Sequence, residues 1–266
     1  MKHPLRGEVV LVTGGGSGIG RLMALGAAAR GAEVVLWDRD GAAADRVRDE
    51  IGDAARSFAV DVTDVEAVTA AAAEVGRLDV LINNAGVVTG KPLLEASEDE
   101  IRRTYDVNVL ALYWVTRAFL GGMVERRHGA VVTIASAAGL VGVAKQTDYS
   151  ASKFAAFGFT ESLRVELAKA KTGVRTLTVC PYYIDTGMFE GVRTRFPRLL
   201  PILKPEYVAT RVLEAIEKGK AQLVMPRFVN AVALGRLFPP PQFDSTMNLL
   251  GINSTMDHFT GRSLER

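Results

Sequence analysis

Short apolar, β-branched runs alternate along most of the chain with Ala-rich stretches whose apolar positions recur at helical spacing. Glu8–Thr13 predicts a strand and Gly18–Arg30 a helix closed by Gly31. Glu33–Asp38 predicts a second strand, and Ala42–Ile51 a second helix closed by Gly52. Strands at Arg56–Val60 and Leu78–Asn83 flank a helix at Val65–Val75. A long helix follows at Asp99–Arg127, then a strand at Ala130–Ala135, a helix at Tyr149–Lys171 and a strand at Val174–Cys180. A helix at Pro205–Lys218 and a strand at Gln222–Met225 complete the pattern. Strands joined by helices predict an α/β chain with one doubly wound, seven-stranded parallel sheet flanked by helices. The strands are apolar throughout instead of alternating, as they are when both sheet faces are covered. No repeat or low-complexity linker interrupts them, so residues 1–266 are assigned to a single domain. The pattern breaks down between Ile184 and Leu203 and again after Arg227, where a shared scaffold would be specialised.

Composition narrows the class. The 32 basic and 30 acidic side chains leave a formal charge of +2, and 48% of residues are hydrophobic, which excludes bulk disorder and gives no basic excess for nucleic acid. The single cysteine, Cys180, forbids an internal disulfide and any Cys-cluster zinc site; it lies in an apolar run and reads as a small buried hydrophobe. His258 beside Asp257 has no clustered ligand partners, so no metal is expected. The N-terminal segment has no apolar core of a secretory signal, and no run of about 20 apolar residues predicts a membrane span. The expected location is cytoplasmic.

The first strand–helix junction reads Thr13-Gly-Gly-Gly-Ser-Gly-Ile-Gly20. Glycines there let the backbone turn sharply and approach a pyrophosphate, which then sits on the helix N-terminus. Asp38, at the end of the second strand and 18 residues after Gly20, can accept both ribose hydroxyls and repels a 2′-phosphate. Ser17 adds no positive charge for such a phosphate; Arg39 is the one residue that argues the other way. The reading is NAD over NADP. Asp61-Val62 follows the third strand and is placed to meet the adenine, with helix capping as the competing role for Asp61.

Tyr149 and Lys153 stand four apart on a helix and share one face. A free phenol has a pKa of roughly 10; a nearby ammonium and a positive nicotinamide ring favour the phenolate, bringing Tyr149 towards the range of a general base. Ser136, at the end of the fifth strand, is placed to hydrogen-bond and orient the substrate oxygen.

The spacing Gly14, Gly18, Gly20, then Asn83-Asn-Ala-Gly86, Asn108, Ser136 and Tyr149-Ser-Ala-Ser-Lys153 resembles the short-chain dehydrogenase/reductase pattern, motif by motif and in order, from about Gly7 to Met225. The resemblance implies a Rossmann-like fold, with residues 1–180 mainly for the cofactor, 181–205 as substrate loop and 227–266 as a C-terminal extension. It implies cofactor contacts from Gly14, Ser17, Gly18, Ile19, Gly20, Asp38, Asp61, Val62, Asn84, Gly86, Tyr149, Lys153, Ile184 and Thr186, and a water held by Asn108 that links Lys153 to solvent. One departure is Tyr182, where the family usually has glycine after Pro181; its ring is expected to narrow the substrate site, with core packing as the competing role.

The segment Tyr182–Leu203 is dense in apolar residues, so Ser136, Tyr149, Tyr182 and Met188 are taken to meet a bulky hydrophobic alcohol or ketone. Leu36-Trp-Asp38, Asn108-Val-Leu-Ala111 and Thr186-Gly-Met-Phe-Glu190 look like the retinol and 17-beta-hydroxysteroid dehydrogenase branch. Members of that branch often carry an N-terminal anchor; this sequence starts close to its first strand, so anchoring is not expected. The run Phe228–Phe238 is too short to span and is expected to pack on the domain or a second subunit, leaving membrane contact at most peripheral. The resemblance implies a homodimer or homotetramer through the helices Asp99–Arg127 and Tyr149–Lys171. Two alternatives stay open: an NADPH-dependent ketoreductase of acyl-type substrates, and a dinucleotide sensor without turnover.

Overall fold

In the computed structural model, which describes residues 4–261, seven parallel strands form one sheet; the ends of the 1–266 assignment lie outside the described residues. The strands are β1 (Val9–Thr13), β2 (Glu33–Asp38), β3 (Ala55–Ala59), β4 (Val80–Asn83), β5 (Ala130–Ile134), β6 (Arg175–Pro181) and β7 (Gln222–Met225), in the order β3-β2-β1-β4-β5-β6-β7. Successive side chains of a strand point to opposite faces, and here both faces are dry. Val10, Val12, Val34, Leu36, Val80 and Ile82 enter one core, while Leu11, Val35, Trp37 and Leu81 enter the other. The first core is covered by α1 (Gly18–Ala28), α2 (Gly41–Ile51) and α7 (Pro205–Glu217); the second by α3 (Val65–Val75), α5 (Ala111–Glu125) and α6 (Thr147–Lys169). Trp37 packs against Phe119 of α5 at 5.6 Å between ring centroids.

Local chemistry sets the helix ends. Asp40 caps α2 by accepting from the Ala43 N–H at 3.0 Å, and Asp64 caps α3 by accepting from Ala67 at 2.9 Å. Gly31, at φ +85°, closes α1 as the glycine signal implied: Gly31 N–H donates to Ala28 and Ala32 N–H to Ala27.

The helical stretch expected at Asp99–Arg127 consists of α4 (Glu98–Tyr105), a wide π turn at Asp106–Leu110, and α5. The wide turn carries Asn108 inward, where its amide is consumed by loop and helix partners. By length and mean hydropathy Glu98–Glu125 is apolar enough to cross a membrane, which a search for unbroken apolar runs does not register. In the fold, Leu112, Val115, Phe119 and Met123 from this stretch are buried against the protein.

The two segments without sequence pattern pack on each other. Ile184 bridges to Leu203, Arg193 N–H donates to the Thr255 carbonyl at 3.2 Å, and Thr260 N–H to Glu190 at 3.0 Å. After β7 come α8 (Ala231–Gly235) and α9 (Pro240–Leu249). The run Phe228–Phe238 only partly follows the packing expected of it: Val229 is buried, but Leu234, Leu237 and Phe238 face solvent.

Leu81 sits in the middle of the sheet, fully buried. Leu81→Ala is expected to cost about 2–5 kcal/mol, read as a lower urea midpoint at unchanged slope.

Candidate active site

The sheet order reverses between β1 and β4, so the chain leaves their carboxyl ends in opposite directions and opens a crevice there. Two side chains hold its edges. Thr13 Oγ1 accepts from the N–H groups of Asn84 (2.9 Å) and Ala85 (3.0 Å), while the Asn84 amide donates to the Thr13 and Gly14 carbonyls at 2.9 and 3.2 Å. The glycine loop turns above this junction. Gly14 takes a left-handed φ of +65°, and a Cβ at Gly20 would collide with the Gly14 carbonyl and the Asn84 amide. The loop therefore presents bare backbone ahead of α1, a shape that fits a pyrophosphate.

A cavity of about 1120 Å³ starts at this loop. Every residue assigned from the sequence to cofactor, substrate or proton transfer lies in its wall except Asn108, including Ser17, Gly18, Ile19, Val62, Gly86, Ile184, Thr186 and Met188. The Asp38 carboxylate accepts from the Gly16 N–H at 2.9 Å and the Asp40 N–H at 3.0 Å, fixing it at the tip of β2. Asp61 is engaged by the Thr63 hydroxyl (2.7 Å) and N–H (2.9 Å), which hold its carboxyl below the usual range. It shapes the turn before α3 while Asp64 provides the helix cap, so capping is not its role.

Deeper in the cavity, β5 delivers Ser136 and α6 delivers Tyr149 and Lys153. Lys153 Nζ donates to the Ile134 carbonyl at 3.0 Å and stands 5.6 Å from the Tyr149 ring centroid. Ser136 Oγ accepts from the Ala138 N–H at 3.1 Å, and Ser136 is near enough to the Tyr149 phenol to act against the effect of its burial. Both α6 residues are nearly inaccessible to water, and desolvation acts on them in opposite senses. Burial lowers the Lys153 pKa to about 8. Burial also raises that of Tyr149 above its usual value, against the opposing effect of Ser136. Without a cofactor the phenol is held neutral by its burial, and the expected depression by an ammonium together with a nicotinamide ring concerns the loaded site.

Asn108 acts from behind the wall. Its Oδ1 accepts from the Val87 N–H (2.9 Å), and its Nδ2 donates to the Val87 carbonyl (2.9 Å) and to Ser152 Oγ (3.0 Å). Ser152 in turn donates to the Tyr149 carbonyl at 2.7 Å. The amide thus ties the loop after β4 to α6.

Tyr182 is buried and lines the cavity, edge-on to Tyr183 at 4.7 Å between centroids. Its hydroxyl has no hydrogen-bond partner among the described residues, and burial raises its pKa. Wall and core packing, the two competing roles for this residue, coincide. Three participants escaped the sequence reading. Gln146 donates to Tyr183 Oη at 3.3 Å, Thr255 shares a hydrogen bond with the same oxygen at 2.9 Å, and the Phe189 ring meets Tyr149 edge-on at 5.7 Å. Phe189 stood in a run marked for its apolar density. Thr255 left no signal, since its partner lies 72 positions away.

At the opposite, amino end of the sheet, Glu8, Asp79 and His128 offer ligand atoms within 4.8 Å of one another. They are knotted into ion pairs, Asp79 with Arg77 at 3.1 Å and Glu8 with His128 at 2.9 Å. The group lies away from the cavity.

The family model for short chain dehydrogenases matches residues 8–196. Epidermal retinol dehydrogenase 2 of Mus musculus is 43% identical over 266 residues, covering 96% of this chain and 86% of the relative. Short-chain dehydrogenase/reductase 3 of Homo sapiens is 39% identical, covering 96% and 87%. Among solved structures, a short chain dehydrogenase/reductase from Burkholderia phymatum in complex with NAD superposes with a TM-score of 0.80 at 29% identity, covering 88% of this chain and 95% of that one. The 3-ketoacyl-(acyl-carrier-protein) reductase from Brucella melitensis complexed with NADH gives 0.74 at 28% identity, covering 83% and 97%.

The buried ammonium has a consequence for stability. The unfolded chain keeps the Lys153 proton up to about 10.5, whereas the cofactor-free fold releases it near 8. The penalty is therefore full below pH 8 and fades as pH rises towards 10.5. Lys153→Met is expected to raise stability over wild type at pH 7 by roughly 2 kcal/mol more than it does at pH 10. Urea unfolding of the cofactor-free protein at both pH values measures the difference, and an equal effect at the two contradicts the assignment.

Proposed function

The chain belongs to the short-chain dehydrogenase/reductase family and is an oxidoreductase acting on CH–OH donors; on that premise we propose that it interconverts a bulky, water-insoluble alcohol and its carbonyl with NAD, using Tyr149 as general acid/base. The observation that carries this reading is the Tyr149 phenol, sharing one cavity wall with Ser136 and neighboured by Lys153, buried between a bare glycine loop and an apolar wall.

The residues present fit a dinucleotide. The loop from Gly14 to Gly20 leaves room where a Cβ would collide, and Asp38 sets an acceptor at the ribose position of this architecture. When bound, NAD supplies a hydride acceptor and a positive ring beside the phenol. That charge, together with the Lys153 ammonium, opposes desolvation and favours the phenolate. Tyr149 then takes the hydroxyl proton of the alcohol, and in the reverse direction protonates the developing alkoxide. Ser136 orients the reacting oxygen, Asn108 and Ser152 set the position of α6, and Ile184 and Thr186 border the nicotinamide end. Residues 1–180 chiefly bind the cofactor, and 181–205 with the extension from 227 enclose the substrate.

Tyr182, Met188, Phe189 and Leu200 give the far wall little to offer a sugar or small hydroxy acid, which supports a retinol-, steroid- or long-chain-alcohol-like substrate. A cytoplasmic seat and a homodimer or homotetramer built on α4–α6 belong to the same reading; Tyr113, Phe154 and Val165 on those helices are exposed.

Tyr149→Phe is expected to lower kcat for NAD-linked oxidation of an apolar alcohol by about 10²–10⁴-fold while NADH still binds, as followed by its fluorescence. A variant that turns over normally rules Tyr149 out. Wild type should show kcat/KM at least about tenfold higher with NAD than with NADP, and Asp38→Ala should narrow that ratio. A preference for NADPH moves the assignment to an acyl-type ketoreductase, and no turnover of any alcohol or ketone moves it to a sensor.

A further inference from the structure

The wall of the cavity continues onto the outside of the molecule. Leu200, Phe238 and Leu250 line the cavity, and their chain neighbours Leu199, Leu237 and Leu249 face solvent, Leu237 at 81% and Leu249 at 64% exposure. Leu234 (67%) and Phe238 (63%) follow the same helical spacing as Leu237, while Arg236 turns back to donate to the Leu140 carbonyl at 2.9 Å. The two segments meet where Arg195 donates to the Leu249 carbonyl at 3.2 Å and packs on Gly251, and within the second segment Gly235 lies against Phe243. Isolated apolar residues are common on protein surfaces, but a contiguous apolar rim around an apolar cavity marks a contact surface.

Charge identifies the contact. Segments 191–204 and 226–251 together carry Arg193, Arg195, Arg198, Lys204, Arg227 and Arg236 against the single acid Asp244. All six basic residues are exposed, and among the described residues none pairs with an acid. Exposed leucine and phenylalanine with a basic fringe match a bilayer interface with anionic headgroups, where apolar side chains enter the acyl boundary and Arg and Lys stay at the phosphates.

We propose that the rim formed by residues 193–202 and 228–250 docks peripherally on an anionic lipid surface, so that the cavity opens onto the bilayer and receives its substrate from there. The proposal rests on the reading of the site as one for a water-insoluble alcohol. Docking matches the solubility of such a substrate and requires no spanning segment.

Co-sedimentation with phosphatidylcholine vesicles, with and without phosphatidylglycerol, tests this on the full chain. Wild type is expected to sediment with the anionic vesicles, less with neutral ones and less in high salt. Leu234→Asp/Leu237→Asp lies outside the cavity wall and should lower the partition coefficient about tenfold or more. Its thermal midpoint and its turnover of a short, water-soluble alcohol should stay near wild type. Arg198→Glu/Lys204→Glu should remove the preference for anionic lipid. Wild type that stays in the supernatant, or an aspartate variant that binds as wild type, overturns the proposal. So does a vesicle-inert protein whose dimer, by light scattering, is lost in the aspartate variant, since the rim is then a self-association face. Vesicle binding needs no turnover, so failure of the dehydrogenase reading shows separately, as absent NADH formation.

Discussion

Where a parallel sheet divides, the backbone of the two departing strands loses the ladder that satisfied its polar groups. In this protein Thr13 and Asn84 meet that demand, hydroxyl to two N–H groups and amide to two carbonyls, across 71 positions of sequence. The crevice at the carboxyl ends of β1 and β4 exists because these four bonds hold it open. The glycine loop is packed against the Asn84 amide so closely that Gly20 admits no side chain. Ser136, Tyr149 and Lys153 are brought to the same crevice by neighbouring elements, so cofactor cradle and proton-transfer groups share one support.

Desolvation is the second constraint, and it makes the empty and the loaded site different acids. With nothing but protein around them, burial holds the proton on Tyr149 and loosens the one on Lys153, which is released only near pH 8. Opposite charge has to arrive before the phenolate is favoured. The cofactor-free site therefore disfavours the phenolate. Asn108 and Ser152 serve this arrangement indirectly by fixing the backbone of α6 at Tyr149.

The apolar wall follows from a different economy. Segments 182–203 and 228–261 have no regular period, yet they are held to each other by backbone hydrogen bonds such as Thr260 to Glu190 and by aromatic contacts such as Phe189 with Phe259. Enclosing an apolar cavity takes apolar side chains on the inside, and short helices like α8 cannot bury their whole circumference. Leu234 and Leu237 are what is left outside.

Much of this was legible in the residues. The alternation of strands with helices and the glycine stop at Gly31 are local, because each depends on chemistry within a few positions. Both-face burial of the sheet was legible too, because strands such as Val9–Thr13 are apolar at every position but the last. The residues proposed for cofactor and proton transfer lie at successive strand ends and along α6, so that all but Asn108 line one cavity. The direction of the Tyr149 shift was not legible, since it depends on how much protein surrounds the phenol and on which acceptor Lys153 selects. Nor were Gln146 and Thr255, or the break at Asp106–Leu110, whose partners lie far along the chain. The sequence by itself determined which groups are present and which local structures carry them; tertiary structure decided their solvation and their charge, because burial and long-range hydrogen bonds exist only once the chain has closed on itself.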